Sequence, residues 1–436
     1  MSRRTLIASI NGRRIGELWE QDGLWAFQYD AAWYADSNGY PLSPHLPLQR
    51  APLIDGASKR PVQWYFDNLL PEEGQRVLLA ADAHIDAADA FGLLGYYGAE
   101  SAGSVTLEAG DAPDTGTPEG LKPLPDSELS RRIRQLPRVA LTHGSSKRMS
   151  LAGAQHKLAV VLRNDELYEP SGSLPSLQIL KPEHVDPAYP HSVANEWFVM
   201  QLASRMGLDV PTVRRRYVPE PVYVIDRFDR VSTSGAWERR HVIDACQLLG
   251  LDRTFKYAQG SLENLARLAD ACRSSAVTRT RLYSWLVFNM LTGNGDAHLK
   301  NLSFFVSASG VRLAPHYDLV STSVYDTPAF DGRGWPDATP LAWPLLDAQR
   351  FAEIDRPLMI EAGTALGIHR NTSTRLLDVQ QRSVVNSASL LYEAFLADAD
   401  DRTRTQPALQ TTIAGEARCL RAIVYNVIKE MAERLA

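Results

Sequence analysis

The sequence predicts an α+β protein in which a small β-rich N-terminal domain precedes a larger part that changes from mixed α/β to mostly helical. Three observations lead to this prediction. Two short apolar segments flank Asn11-Gly12, the commonest two-residue hairpin signal. A stretch rich in Ala, Gly, Asp, Thr and Pro at 109–125 is typical of a linker. Farther along, strand-length apolar segments give way to apolar segments of helix length.

The elements can be predicted in chain order within four regions, 1–108, the linker 109–125, a mixed α/β part at 126–245 and a helical part at 246–436. Strands are expected at 5–10, 14–19, 24–29, 158–162, 177–180, 222–225 and 302–306. A helix is expected to end near Ala81, and another at 192–206 should end at Gly207. The segment 282–292 is apolar nearly all round and should be a buried helix ended by Gly293, and the last helix should be amphipathic.

Composition excludes several classes of protein. The 46 Lys and Arg residues are outnumbered by 51 Asp and Glu residues, so the chain has no general basic excess for nucleic-acid binding. Cys246, Cys272 and Cys419 are widely spaced and odd in number, which fits neither a disulfide framework nor a zinc site and favours a reducing compartment. No signal peptide or membrane-spanning segment is evident, so we expect a cytoplasmic protein without membrane contact.

The most informative segment is GNGDAHLKN (293–301), directly after the predicted buried helix. Asp296 and Asn301 lie five residues apart, as do the proton-accepting Asp and the metal-binding Asn of a kinase catalytic loop. Asp318 follows Asp296 by 22 residues, where a second metal-binding carboxylate belongs, and such oxygen ligands suit Mg²⁺. Both aspartates could instead serve only as a helix cap or a turn residue.

Two upstream segments fit nucleotide binding. Lys181 ends an apolar strand, where a kinase lysine neutralises phosphates and pairs with a helical glutamate, here Glu196. The segment SLAGAQHK (150–157) contains small residues whose backbone amides could approach phosphates. From the residues alone, Lys181 could equally be a solvated strand end, and 150–157 an ordinary loop.

In combination these motifs resemble the HipA family of serine/threonine kinases, the toxins of bacterial type II toxin–antitoxin modules. The resemblance covers nearly the whole chain. It is carried by ordered motifs, namely YD (29–30), PLS (41–43), LPL (46–48), FDNLLPE (66–72), FGLL (91–94), Gly98, SLAGAQHK (150–157), ILKP (179–182), NE (195–196), RFDR (227–230), CQ (246–247), GDAHLKN (295–301) and YD (317–318).

The resemblance implies a protein-kinase-like fold related to phosphatidylinositol kinases, with a β-rich N-terminal lobe and a helical C-terminal lobe. It makes Asp296 the catalytic base, Asn301 and Asp318 the Mg²⁺ ligands and Ser150 the autophosphorylation site. Asp226 replaces a common glutamate, and His156 a common acidic residue. The residues implied to contact ATP are Ala152, Gly153, Ala154, Gln155, His156, Lys157, Lys181, Asp226, Arg227, Phe228, Gln247, His298, Lys300, Asn301, Tyr317 and Asp318.

The resemblance also implies partners. These are a HipB-like DNA-binding antitoxin dimer, operator DNA bound mainly through that antitoxin, and a protein substrate, for which tRNA charging or translation is the candidate process. Arg370, Arg375 and Arg382 could contact DNA, although a solvated helix face is the favoured interpretation. With the antitoxin, the kinase is also expected to co-repress its operon. The alternative function is mainly that of a regulatory corepressor or binding module on an antitoxin–DNA complex, and the two functions can coexist. A small-molecule kinase would share the loop but not the N-terminal motifs.

Overall fold

The computed structural model describes residues 3–110, 119–145, 147–149, 151–233 and 235–436. The chain forms two compact units. The first comprises Met1–Pro182, Val224–Phe255 and Ser303–Ala314, and the second Glu183–Tyr223, Lys256–Leu302 and Pro315–Ala436. Because both units are discontinuous in sequence, the boundaries drawn along the chain at 108, 125 and 245 stay predictions.

The described residues form a mixed fold of strands and helices. The strands are β1 (Arg4–Ile10), β2 (Arg13–Gln21), β3 (Leu24–Tyr29), β4 (Leu53–Ile54), β5 (Val105–Ala109), β6 (Gly120–Pro123), β7 (Leu158–Arg163), β8 (Glu166–Ser171), β9 (Gln178–Pro182), β10 (Val213–Tyr217), β11 (Pro221–Asp226), β12 (Arg230–Thr233), β13 (Ala236–Arg239), β14 (Val242–Asp244), β15 (Ser303–Ser307), β16 (Gly310–Leu313), β17 (Pro340–Leu345) and β18 (Ala348–Arg350). The α-helices are α1 (Ala31–Ala35), α2 (Pro61–Asp67), α3 (Glu73–Ala83), α4 (Ala90–Tyr97), α5 (Asp126–Arg134), α6 (Ser192–Arg205), α7 (Ala245–Leu249), α8 (Leu262–Ala271), α9 (Ser275–Thr292), α10 (Arg356–Ala365), α11 (Arg370–Thr405), α12 (Gln410–Ala422) and α13 (Lys429–Arg434).

The first unit begins with a five-stranded sheet in the order β4-β3-β2-β1-β5. The predicted hairpin between β1 and β2 is confirmed, and Asn11 and Gly12 take the positive φ angles, 49° and 76°, that such a turn requires. The third predicted strand is confirmed with the same bounds as β3. Along β1 buried apolar residues alternate with more exposed ones, and β2 and β3 add Ile15, Leu18 and Phe27 to the apolar core.

A second sheet in this unit places two predicted site segments side by side. Within this unit the sheet consists of four complete strands and the end of β11, which are hydrogen-bonded in the order β11-β9-β7-β8-β6. In the antiparallel pair β7–β9, Leu158 opposes Leu180, so the loop before β7 lies next to the end of β9 that carries Lys181. Strand β6 pairs with β8 and lies within the predicted linker 109–125, so that part of the segment is ordered by strand pairing.

A buried charge cluster joins these two sheets. Glu100, fully buried, contacts four cationic side chains, at 2.7 Å from Arg230, 2.9 Å from Arg239, 3.0 Å from Lys147 and 3.1 Å from Arg227. Burial by itself would raise the pKa of the Glu100 carboxyl, but the surrounding cations hold it well below its ordinary value. The carboxylate is therefore the charged centre that allows four cations to be desolvated together.

The second unit is mostly helical and is built around α9. From Leu282 to Thr292 all but one of its residues are buried, as the sequence predicts, and the helix ends at Gly293. The long helix α11 and the C-terminal helices pack around it, and the helical path between α12 and α13 runs through a π-helix at Ile423–Ile428. Among the described residues, no helix is long and apolar enough to cross a membrane. Cys246, Cys272 and Cys419 are free thiols and buried.

Replacing Glu100 by Gln should destabilise the first unit strongly. The substitution keeps the size of the side chain but removes the carboxylate shared by three buried cations and the half-buried Arg239, and within the described residues only Arg227 and Arg230 keep a second carboxylate, Asp229. Breaking a buried charge cluster costs about 3–5 kcal/mol of unfolding free energy. Urea denaturation measures this loss. The matched control is Glu108→Gln, at an exposed position of β5, which should change the unfolding free energy by less than about 0.5 kcal/mol.

The same charge predicts a dependence of stability on pH. Because the folded pKa of Glu100 lies below its ordinary value of 4.5, its contribution is present above about pH 4.5 and is lost as the pH falls through the folded pKa. The Glu100→Gln variant should lack that acid-sensitive component. Equal loss of stability in wild type and variant between pH 6 and pH 3 would contradict this assignment.

Candidate active site

The candidate catalytic loop begins where α9 ends. Gly293 has φ +64°, and a Cβ at this residue would lie 2.6 Å from the Val427 side chain and 2.9 Å from that of Ser323. Glycine is therefore required both by the backbone conformation and by the close packing. The turn at Gly293 directs the chain from the buried helix into the polar segment 294–301.

Two buried asparagines connect the helix to the loop. The Asn289 side chain donates to the carbonyl of Trp285 at 2.8 Å and accepts from the Asn294 amide group at 2.7 Å. The Asn294 side-chain oxygen in turn accepts from the backbone N–H of Asp296 at 3.0 Å. Since Asn289 and Asn294 are 0% and 1% exposed, this chain of hydrogen bonds fixes the backbone that carries Asp296.

Asp296 is half-buried, and its backbone and side chain have different partners. Its carbonyl accepts from the N–H of His298 at 2.8 Å and from the side-chain amide of Asn301 at 2.9 Å. The next carbonyl, of Ala297, accepts from the Trp343 indole N–H at 2.9 Å. The Asp296 carboxylate accepts a hydrogen bond from the hydroxyl of Tyr257. The loop is thus held through its backbone, and its carboxylate faces a hydroxyl donor.

The side chain of Asn301 has one hydrogen bond within the candidate catalytic loop. Its amide nitrogen is engaged with the Asp296 carbonyl, which leaves the side-chain oxygen as the atom able to bind a cation. Tyr317 donates to the carbonyl of Lys300 at 2.7 Å, and this contact brings the segment of Asp318 to the catalytic loop. An amide oxygen and a carboxylate of this kind suit Mg²⁺. Among the described residues, no group of three or more His, Cys, Asp or Glu side chains could hold a metal ion.

Asp318 and Glu196 both lie near Tyr223 within the second unit. Burial, followed by the charges of the two carboxylates, raises the pKa of the Tyr223 hydroxyl well above its ordinary value. Asp318 also has a positive φ of 58°, an uncommon conformation for a residue other than glycine. Such conformations are found where surrounding structure holds a side chain in a required direction.

The predicted phosphate loop lies in the first unit, and FDNLLPE (66–72) supports it. The N–H of Glu72 donates to the carbonyl of Gly153 at 3.3 Å, and Pro71 forms a parallel bridge with Gly153. Gly153 has φ +109°, and a Cβ there would lie 2.3 Å from the Lys157 ammonium nitrogen, which donates to the carbonyl of Ala152 at 2.7 Å. The hydrogen bond from Lys157 to Ala152 therefore closes the loop, and the positive φ at residue 153 requires glycine there.

The remaining predicted nucleotide residues are also in the first unit. Lys181 is buried at the end of β9. The N–H of Arg227 already donates to the carbonyl of Leu177, and its guanidinium lies in the Glu100 cluster. Gln247 is likewise occupied within the fold, because its side chain accepts from the N–H of Asp244 and donates to the carbonyl of Tyr65.

The predicted site residues therefore fall into two sets. The second unit brings together Asp296, His298, Lys300, Asn301, Tyr317 and Asp318, and the first unit holds Ala152, Gly153, Ala154, Gln155, His156, Lys157, Lys181, Asp226, Arg227, Phe228 and Gln247. The pairing of Lys181 with Glu196 stays a prediction. Ser150 lies outside the described residues.

Sequence reasoning did not identify Tyr257, Trp343 or the role of Asn294. Asn289 gave the one available signal, because a polar side chain inside an otherwise apolar helix needs a buried partner. Tyr257 and Trp343 lie 39 and 46 residues from their partners in the loop, so no local pattern points to them.

Comparisons with known proteins agree with the resemblance. Residues 6–108 match the family model described as the HipA N-terminal domain, and residues 149–387 match the HipA-like C-terminal domain. The chain belongs to the HipA family. HipA membership accounts for the presence of the motifs at 66–72, 150–157 and 295–301 in one chain.

Individual relatives extend this result. The chain is 34% identical to "Putative kinase Y4mE" of Sinorhizobium fredii, over 88% of this chain and 92% of that protein. It is 32% identical to the serine/threonine-protein kinase toxin HipA of Shewanella oneidensis, over 69% of this chain and 71% of that one. Among solved structures, a chain of the Shewanella oneidensis complex of HipA, HipB and operator DNA matches with a TM-score of 0.75 and 26% identity, covering 98% of this chain and 99% of that chain.

Replacing Asn294 by Ala should loosen the catalytic loop. The variant leaves the Asp296 N–H and the Asn289 side-chain oxygen without their partner in a buried setting, at a cost of roughly 1–3 kcal/mol of unfolding free energy. Urea denaturation measures the cost, and hydrogen exchange at the Asp296 amide reports the local loosening. Asn386→Ala, on the exposed face of α11, serves as the control. Unchanged exchange at Asp296 would show that the asparagine pair does not hold the loop.

Proposed function

We propose that this chain is an ATP–Mg²⁺-dependent protein serine/threonine kinase, the toxin of a HipA/HipB-like toxin–antitoxin module. The observation that carries the proposal is the loop at 293–301, in which the Asn301 amide binds the backbone of Asp296 and leaves its own oxygen for a cation. Membership of the HipA family and the kinase names of the relatives support it. The fold we propose is protein-kinase-like and related to phosphatidylinositol kinases, with a β-rich and a helical lobe.

In this proposal Asp296 is the catalytic base. Its carboxylate accepts the proton of a serine or threonine hydroxyl while that oxygen attacks the γ-phosphorus of ATP and ADP leaves. Asn301 and Asp318 hold Mg²⁺, which when bound supplies positive charge to the phosphate oxygens. His298 and Tyr317 lie beside the nucleotide, and Lys300 contributes a cation next to Asn301.

The first unit contributes the nucleotide's binding groups. Backbone N–H groups of Ala152–Lys157 cradle the phosphates, and Lys181 neutralises them. Asp226 to Phe228 hold adenine. We propose that this hinge contacts adenine through backbone groups, since the Arg227 guanidinium and both polar ends of the Gln247 side chain have partners within the fold. A backbone contact explains why Asp226 can replace glutamate here.

Regulation and partners follow from the same family. We propose a HipB-like antitoxin dimer as the binding partner, operator DNA reached mainly through that antitoxin, and action in the cytoplasm on a protein target, with tRNA charging or translation as the candidate process. The relative in complex with HipB and operator DNA supports the partner proposal. Arg370, Arg375 and Arg382 are exposed on α11, and a solvated face remains the favoured interpretation for them.

The second candidate function is a corepressor that binds an antitoxin–DNA complex without kinase activity. It is favoured by the same structural match to a HipA–HipB–operator complex. Phosphoryl transfer to proteins of a cell lysate from radiolabelled ATP separates the two candidates. Autophosphorylation at Ser150, which would place about −1.5 to −2 charges in the phosphate loop and oppose ATP binding, is part of the kinase proposal and can be tested by mass spectrometry.

Replacing Asp296 by Asn should abolish transfer while preserving the fold. Asparagine keeps the shape but cannot accept the hydroxyl proton, so we expect a rate roughly 10²- to 10⁴-fold lower. Label transfer to lysate proteins and urea denaturation measure the two effects. Asp337→Asn, an exposed aspartate of the second unit, is the control and should transfer at the wild-type rate. Transfer at near wild-type rate by Asp296→Asn would exclude it as the base.

Replacing Lys181 by Ala should weaken ATP binding. The triphosphate loses a fixed positive charge from a buried strand end, and the loss of a charged hydrogen bond of this kind lowers affinity roughly 10- to 100-fold. Calorimetric titration with ATP in the presence of Mg²⁺ measures the change, with Lys59→Ala, an exposed lysine of the same unit, as the control. Equal affinities for all three proteins would show that Lys181 has only a structural role.

A further inference from the structure

Tyr257 lies at the candidate catalytic base, in a segment that no sequence motif singled out. Its hydroxyl donates a hydrogen bond to the Asp296 carboxylate. Its ring meets the ring of His298 edge to face, with centroids 5.0 Å apart and an angle of 82° between the planes. The neighbouring carbonyl of Lys256 accepts from the N–H of Leu299 at 3.1 Å, which fastens this segment to the loop.

The hydrogen bond from Tyr257 is made to the carboxylate of Asp296, the group that would accept a proton in the proposed reaction. Among the residues that the structure describes, the Tyr257 hydroxyl is the donor that reaches this carboxylate, whereas the rest of the loop is held through backbone groups. A hydroxyl that donates to this carboxylate occupies the place that a serine or threonine hydroxyl must take before it loses its proton. The phenol therefore stands where the acceptor oxygen would stand.

The position of Tyr257 would also allow its side chain to move away from Asp296. Residue Tyr257 is 39% exposed, and its ring contacts His298 and Lys256. The backbone of its segment is anchored through Lys256, so a rotation of the ring away from Asp296 would leave that backbone contact with the loop in place. His298, by contrast, is buried, and so are the two asparagines beneath the loop. The hydroxyl of Tyr257 is thus a replaceable group on an otherwise fixed base.

We infer that Tyr257 is a positioning residue that gates the catalytic base: it keeps water off Asp296 until a protein hydroxyl displaces it. The inference rests on the proposed kinase function. With the hydroxyl removed, a water molecule can donate to Asp296, its oxygen can attack the γ-phosphorus of ATP, and its proton passes to the carboxylate. ADP leaves, and inorganic phosphate is the product instead of a phosphoprotein.

The test compares ATP hydrolysis in the absence of any protein acceptor. Tyr257→Phe keeps the ring against His298 and removes the hydroxyl alone, and we expect it to hydrolyse ATP roughly 5- to 20-fold faster than wild type. The control is Tyr425→Phe, an exposed tyrosine of the C-terminal helical region, which should leave hydrolysis unchanged. The double variant Tyr257→Phe with Asp296→Asn should lose the added hydrolysis, because the water then has no base.

Two outcomes would contradict the inference that Tyr257 keeps water off Asp296. Hydrolysis by Tyr257→Phe at or below the wild-type rate would mean that the hydroxyl does not exclude water. Added hydrolysis that persists in the double variant would mean that the water does not use Asp296. A merely structural role would lower both hydrolysis and protein phosphorylation, together with thermal stability. We expect instead an unchanged melting temperature and a lower KM for the protein acceptor.

A separate measurement distinguishes failure of the gate from failure of the proposed function. Wild-type transfer of label to lysate proteins, lost in Asp296→Asn, supports the kinase regardless of Tyr257. If that transfer is present and Tyr257→Phe hydrolyses ATP as slowly as wild type, the gate alone is wrong. If wild type shows no Asp296-dependent transfer, the kinase proposal fails and the gate fails with it.

Discussion

In the second unit, the conformation of the loop after α9 depends on one requirement, which is that buried polar groups be hydrogen-bonded. Helix α9 is buried along most of its length, so the polar loop that follows it cannot rely on water to satisfy its backbone. Asn289 and Asn294 provide side-chain partners, Asn301 and Trp343 bind two carbonyls, and the loop becomes rigid as a result. The carboxylate of Asp296 is positioned by these hydrogen bonds to the backbone on both sides of it.

In the first unit the same requirement applies to buried charged side chains, which need partners of opposite charge. Glu100 supplies a countercharge to four surrounding cations, and Asp229 adds a second carboxylate that pairs with Arg227 and Arg230. The guanidinium of Arg227 belongs to this cluster, although the family resemblance places the residue in the segment that holds adenine. The cluster shows that a residue within a segment proposed to bind a nucleotide can have its side chain occupied in stabilising the fold.

Local signals in the sequence account for much of the fold. The Asn11-Gly12 turn, the buried character of 282–292 and the glycine after it are all short-range features, and the corresponding elements form as predicted. The spacing of Asp296 and Asn301 indicated a catalytic loop, and the structure brings the two residues into contact. Strand β6 was missed because its pairing with β8 is long-range, and its composition resembles a linker. Tyr257 and Trp343 were missed because they reach the loop from distant segments.

The support of Gly153 by Pro71 and Glu72 has an evolutionary consequence. Residues 71 and 72 belong to the family's N-terminal domain, whereas Gly153 belongs to its C-terminal domain. Glu100 and the arginines that surround it are divided between the same two domains. Neither domain can therefore be exchanged between proteins independently of the other. A recombination event that joined the N-terminal domain of one relative to the C-terminal domain of another would have to preserve both contacts, so the two domains are expected to have been inherited together.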